Sequence, residues 1–213
     1  MAVVTVSRAY GTGEDTFVSA LASHFGYRVA DRSMIDEVAD ELNVDSSLIL
    51  RQDERGDPPV VARMVGALLG RPWRARHDEP RVGDGPTREV VRSLIRETIR
   101  RVADAGDVVI VGRGANFQLY DRRDLVTVRL VAPMDYRVKR VSMTLSMTEE
   151  EARREIDRID TERRRYVEEE FDEDPQDPSH YDLMFDMSLT SVDGAVRRTA
   201  GLVYRASPRV LAS

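Results

Sequence analysis

The stretch Val3-Val4-Thr5-Val6-Ser7-Arg8-Ala9-Tyr10-Gly11-Thr12-Gly13-Glu14-Asp15-Thr16 decides the architecture of this chain. Four β-branched residues start a strand, and glycines at 11 and 13 bring a turn. Over residues 17–25 the apolar spacing then becomes helical, with Phe17, Val18, Leu21, Ala22 and Phe25 on one face. Strand, glycine loop and helix, in that order, aim backbone N–H groups and a helix N-terminus at a phosphate. One feature departs from the standard pattern G-x-x-x-x-G-K-[ST]. The lysine position after Gly13 carries Glu14, and Asp15 follows it.

The rest of the chain repeats the strand–helix alternation. Gly26 is placed to end the first helix, and residues 27–30 form a short strand that leads to Asp31 and Arg32. Ser33 is a candidate N-cap for a helix to about residue 42, and a short helix begins near residue 46. Residues 53–88 are irregular and locally basic. They include a helical patch at 60–69 and a loop at 74–86 that is either solvated or a flap over substrate. Residues 87–105 form an amphipathic helix. The run Val108-Val109-Ile110-Val111 is apolar throughout, as in a parallel strand buried on both faces, and opens into a loop at Gly112-Arg113-Gly114-Ala115.

Residues 125–132 are another strand, followed by a helix from Pro133. Thr148 and Glu151 form a capping box ahead of a highly charged helix that reaches about residue 171. Residues 181–187 are the last strand, and Ser191 caps a final helix. Strands that alternate with helices imply an α/β fold with a parallel sheet covered on both faces. Such sheets bind ligands at the carboxyl ends of their strands. Residues 7–13, Asp31 with Arg32, and Gly112 with Arg113 all fall there.

Bulk properties narrow the function. A chain of 213 residues suits one domain of this kind. The net charge of −6 argues against nucleic acid as a partner. There is no cysteine, which removes disulfides and thiolate metal sites, and His24, His77 and His180 lack metal-ligand spacing. No apolar run approaches the roughly 18 residues of a membrane span and no signal-peptide pattern is visible, so a cytoplasmic protein with no membrane partner is expected.

Phosphoryl transfer asks for positive charge and donors around the moving group, and arginine matches phosphate oxygens two at a time. The chain offers Arg8 in the loop, Arg32 and Arg113 at strand ends, and Arg137 and Arg140 in the helix after Pro133. The charged segment adds Arg153, Arg154, Arg158, Arg163, Arg164 and Arg165, in a pattern that also fits a solvated, ion-paired helix face. Asp160 lies three residues before Arg163, a spacing that lets the two pair.

A resemblance then joins these pieces. The loop at residues 5–13, Gly26-Tyr27 leading to Asp31-Arg32, and Val111-Gly112-Arg113-Gly114-Ala115 resemble the cytidylate kinase-like family of P-loop nucleoside monophosphate kinases. So do the segments at 132–141, 160–166 and 177–183, in the same order along nearly the whole chain except 53–88. The resemblance implies a three-layer P-loop kinase fold with strand order 2-3-1-4-5. It also implies one domain over 1–213, a nucleoside-monophosphate-binding insertion at about 33–88 and a lid at about 143–172.

By the same resemblance, ATP with Mg2+ would lie over the loop, with Arg8, Tyr10, Gly11, Thr12, Gly13, Glu14, Asp15 and Thr16 around its phosphates. The acceptor, CMP or dCMP, would sit by Asp31, Arg32 and Arg113. Arg113, Arg137, Asp160 and Arg163 would serve catalysis.

Cytidylate kinases carry Lys at the position of Glu14 and a small residue at that of Asp15. An acid in a phosphate cradle is costly, about 4 kcal/mol for a like-charge pair at ~4 Å and an effective dielectric near 20, or roughly three decades of affinity. Three arrangements would relieve it: Glu14 turned to solvent or paired with a lid arginine, Asp15 bound to magnesium, or Arg8 in place of the missing cation. The sequence leaves these open. It also leaves open three functions: an active kinase, a catalytically silent nucleotide- or phosphate-binding regulatory protein, and a phosphotransferase for a non-nucleotide acceptor.

Overall fold

In a computed structural model, residues 2–31 and 88–206 are described. Arg32, the region 33–87 with its expected helices, flap and acceptor insertion, and His77 lie outside them. Their order is β1 (Val3–Arg8), α1 (Glu14–Phe25), β2 (Arg28–Ala30), α2 (Arg88–Ala105), β3 (Val108–Val111), α3 (Ala115–Gln118), β4 (Leu125–Val131), α4 (Met134–Leu145), α5 (Glu149–Phe171), β5 (Leu183–Asp186) and α6 (Val192–Ala206). The chain divides into two compact units: Met1–Ala30 with Ala103–Ser213, and Asp31–Val102. In the second unit, Ile95, Thr98 and Ile99 of α2 are buried at helical spacing, while Ser93, Glu97 and Arg100 are exposed.

The first unit is built on a parallel five-stranded sheet of order β2-β3-β1-β4-β5, with helices on both sides. Val3 to Val6 register against Val108 to Val111 on one side, and Val3 to Arg8 against Leu125 to Leu130 on the other. Side chains alternate across a strand. Val4, Val6, Val126, Val128 and Leu130 therefore share a face, and with Phe185 they pack on Phe17, Val18 and Leu21 of α1 and on Ala195, Val196 and Val203 of α6. Phe17 and Leu21 are fully buried, each worth about 1.5–3 kcal/mol of transfer free energy.

The opposite face is less apolar. It presents Thr5, Ser7, Thr127 and Arg129; Arg129 is 8% exposed.

Local signals hold well. Gly26 ends α1 in the left-handed conformation (φ 66°), and its N–H donates to the Ala22 carbonyl. Thr148 and Glu151 form the full capping box. The Gly194 N–H donates to Ser191 Oγ at 3.2 Å at the start of α6. The differences are small: β5 is shorter than the apolar run around it, and the turn after Gly114 winds into α3.

A second apolar cluster matters for the site. Val138 and Val141 of α4 pack on Ala152 and Ile156 of α5, with Tyr10, Met134 and Met147 against them. This small core seats the start of α5 beside the glycine loop. The other end of α5 is held by Phe171, whose ring stacks on Phe117 at 5.3 Å. Gly114 (φ +63°) is required there, because a Cβ would run into the Phe171 ring.

Candidate active site

The loop after β1 closes onto α1 through two left-handed glycines, Gly11 and Gly13, both at φ +84°. Gly13 is the N-cap of α1 and supplies no side-chain cap, so among the described residues no side chain is seen to satisfy the first N–H groups of the helix. That is the geometry of an anion site. Thr12 is buried, and its hydroxyl donates to the Ala9 carbonyl at 3.0 Å, which folds the loop back on itself. Asp15 and Thr16 are exposed in the first turn.

Glu14 turns neither to solvent nor to the lid. Its carboxylate lies 3.5 Å from Arg8 Nε, with the two side chains 14% and 21% exposed, and Thr12 Oγ1 approaches its other oxygen at 3.5 Å. Arg8 thus brings a positive charge to the loop, and Glu14 offsets it. The Arg8 guanidinium also lies against the turn after β3, where Nη1 fills the space that a Cβ on Gly112 would need.

Helix α5 reaches the loop directly. Asp160 accepts the Tyr10 N–H at 2.8 Å and pairs with Arg137 Nη1 at 2.5 Å. Arg137, which is buried, donates in addition to the Tyr10 carbonyl at 3.1 Å and through Nε to the Ala132 carbonyl at 3.1 Å. Hydrogen bonds to charged groups of this kind contribute about 1.5–3 kcal/mol each. Together they lock the loop backbone to α4 and α5.

The spacing of Asp160 and Arg163 lets the two pair, but the ion pair of Asp160 is with another residue. Arg137, from α4, takes the carboxylate. Arg163 instead donates to the Arg8 carbonyl at 3.3 Å and lies over the Tyr10 ring at 5.6 Å. Burial, and then the neighbouring Arg8 guanidinium, bring the Arg163 pKa down to about 10. Burial, followed by the carboxylates of Glu155 and Glu14, raises that of the Tyr10 phenol.

Arg140 stands on α4, the helix after Pro133, as the sequence places it. It is exposed, and its guanidinium lies over Gly13, with Cζ 2.7 Å from where a Cβ would stand. Its signal in the sequence was a position three residues after Arg137, one turn further along the same face. Among the described residues neither Arg140 nor Arg163 makes an ion pair, whereas Glu14 and Asp160 are both neutralised by Arg8 and Arg137. The loop therefore carries an excess of positive charge despite its acids.

Arg113 stands at the end of β3 with φ +58°, between two positive-φ glycines, and Gln118 Nε2 donates to its carbonyl at 2.8 Å. A non-glycine residue in this conformation costs on the order of 1–3 kcal/mol and is held by its surroundings. Asp31 is exposed and opens the other compact unit, and Arg32 lies outside the described residues. Of the remaining charged residues on α5, Arg158 pairs with Glu155 and Glu162, Arg165 with Glu169 and Arg154 with Glu150, at spacings of three or four residues. They form the solvated, ion-paired face.

The described residues hold no cluster of three or more His, Cys, Asp or Glu side chains able to cage a metal ion. Magnesium delivered with a nucleotide needs one or two carboxylates, with phosphate oxygens and water as its other ligands. Asp15, exposed at the start of α1, meets that requirement; Glu14, engaged by Arg8, does not. Among the described residues, no helix is long and apolar enough to cross a membrane.

Comparison with known proteins bears on family and fold. The model of the cytidylate kinase-like family matches residues 3–189. Over 201 residues the chain is 29% identical to the cytidylate kinase of Methanopyrus kandleri, across 90% of this chain and 87% of that protein. An uncharacterized protein from Eubacterium ventriosum superposes with a TM-score of 0.68 at 18% identity, covering 95% of this chain and 98% of its own. Shikimate kinase from Bacteroides thetaiotaomicron superposes with a TM-score of 0.53 at 15% identity, with the same coverage. These two likenesses establish the fold.

Proposed function

The chain belongs to the cytidylate kinase-like family, and from that premise we propose that it transfers the γ-phosphoryl group of ATP to a pyrimidine nucleoside monophosphate, CMP or dCMP. Family and fold support a nucleotide kinase in general; the donor, the acceptor and the residue roles are this reading's own. The observation that carries it is the pair of arginines that make no ion pair among the described residues, Arg140 and Arg163, at a glycine loop that opens on a helix N-terminus with no side-chain cap from its N-cap residue.

In this reading the phosphates of ATP lie over residues 10–16. The N–H groups of α1 and the guanidinium of Arg140 bind them, in place of the absent lysine. Arg163 and Arg113 supply donors to the charge that develops on the transferred group, the effect that dominates phosphoryl transfer. Asp160 and Arg137 are positioning residues, since both are committed to the Tyr10 backbone. Magnesium, held by Asp15 and the nucleotide, would neutralise phosphate charge. The acceptor is assigned to Arg113, Asp31 and Arg32, with the insertion at about 33–88 setting base choice and the segment 143–172 acting as the lid.

One observation favours a second reading. Glu14 sits inside the loop, little exposed and paired with Arg8, where it opposes an incoming phosphate. A catalytically silent nucleotide- or phosphate-binding protein would tolerate that better than an enzyme.

Calorimetric titration with Mg-ATP and then CMP, followed by a coupled ADP-release assay across acceptors, separates the readings. Binding of both nucleotides with acceptor-dependent ADP release supports the kinase. Binding without release supports the silent protein, and no ATP binding at millimolar concentration defeats both for this loop.

A further inference from the structure

Arg129 is a buried cation for which the reaction above has no use. It lies near the C-terminal end of β4 as the register partner of Ser7, on the sheet face turned away from α1. Its Nη1 donates to Ser7 Oγ at 2.8 Å and to the Tyr181 hydroxyl at 3.3 Å, and the guanidinium lies 5.4 Å from the centre of the Tyr181 ring. The Tyr181 hydroxyl is itself held by donation to the Pro175 carbonyl at 2.8 Å.

Among the described residues no carboxylate pairs with Arg129. Asp182, next to Tyr181, accepts instead from the N–H and hydroxyl of Thr127 at 2.8 and 2.9 Å. Arg129 Nε is buried with no hydrogen-bond partner. Thr5 Oγ1, one step down the same face of β1, and Asn116 Nδ2 and Gln118 Oε1 on α3, which packs against β1, are also buried without partners.

A guanidinium has five N–H donors and a permanent charge. Shutting one away against two hydroxyls and a ring, with no counter-charge among the described residues, is unfavourable unless another group brings the negative charge. We propose that Arg129, with Ser7 and Tyr181, forms a binding site for an oxyanion on the face of the sheet opposite α1. The site would take a phosphate or carboxylate group through the donors of Arg129 that the protein leaves unmatched. It is distinct from the helix N-terminus that faces ATP, and it does not depend on the identity of the donor.

The test compares the wild type with Arg129→Met and Arg129→Lys, using inorganic phosphate as the probe. Without phosphate, Arg129→Met should melt at the same temperature or higher, because it removes an uncompensated buried charge. Phosphate at ten times its dissociation constant should raise the melting temperature of the wild type by about 4 °C. That rise should shrink or vanish in Arg129→Met and persist in part in Arg129→Lys, while the rise with Mg-ATP is retained.

A raised KM for CMP at unchanged kcat in Arg129→Met would identify the oxyanion as a group on the acceptor. Loss of the phosphate response alone would identify a free anion. The inference is overturned if the wild type shows no phosphate response, if Arg129→Met keeps the full response, or if Arg129→Met fails to fold or melts lower in the absence of phosphate. Loss of the Mg-ATP response together with the phosphate response would overturn it as well.

Discussion

Replacing Glu14 with Gln should tighten Mg-ATP binding, and the structure sets the size of the effect. The carboxylate lies at the first residue of α1, beside the uncapped N–H groups, with its side chain only 14% exposed. A phosphate charge about 5 Å away, at an effective dielectric near 20, feels about 3 kcal/mol of repulsion. Removing it corresponds to roughly two decades in dissociation constant. Solvent at the loop mouth screens part of this, so the expected tightening is between about tenfold and a hundredfold.

The same substitution leaves Arg8 without its carboxylate, which should lower folding stability by about 1 kcal/mol. Calorimetry at about 0.05 M and 0.5 M salt is the assay, because an electrostatic effect must shrink as screening grows. A folded Glu14→Gln protein that binds Mg-ATP no better, or more weakly, would refute the reasoning. Glu14 would then be a recognition group and not an obstacle.

Further outcomes follow from the same geometry. Arg163→Ala and Arg113→Ala should each lower turnover by about a hundredfold or more in the coupled assay; near-normal rates in both would remove them from the reaction. Gly114→Ala should cost about 2–4 kcal/mol in denaturant unfolding, from a left-handed φ combined with the blocked Phe171 ring, and should leave the loop cations in place. On the acid side, hydrogen bonds from Thr148, Arg158 and Ser179 hold the carboxyls of Glu151, Glu155 and Asp177 below their usual range. The folded chain thus binds fewer protons than the unfolded one near those values. Their stabilisation is present above about pH 4.5 and is lost as pH falls through the folded pKa values. Melting curves between pH 6 and 3 should show a shallower fall for Thr148→Ala, which loses the cap.

Much of the architecture was readable because it is local. The change of period at residue 17, the left-handed Gly26, the Thr148–Glu151 box and the Ser191 cap depend only on neighbours within a turn or two, and all are found where the pattern puts them. The apolar runs of β1 and β3 end where the glycine loop and the turn with Arg113 begin, so both lie at the carboxyl edge of the parallel sheet. The loop's acids and the surplus of arginines were visible as composition.

Which charge meets which was not visible. Spacing tells what side of its own helix a residue occupies, so Asp160 and Arg163 were placed together correctly, and both do face the glycine loop. Whether they bond to each other depends on what that loop and α4 bring to the same place. There the buried Arg137, aimed by the Ala132 carbonyl, takes the carboxylate, and Arg163 is left to the Arg8 carbonyl.

The same holds for Glu14, whose partner comes from six residues earlier because the loop doubles back, and for Gly114, whose need for glycine is set by a ring 57 positions away in sequence. It holds for Arg129, too, whose single charge in β4 acquires meaning only beside Ser7 and Tyr181. Periodicity and capping are properties of one element and are written in its residues. A charge pair is a property of two, and only packing brings those two together.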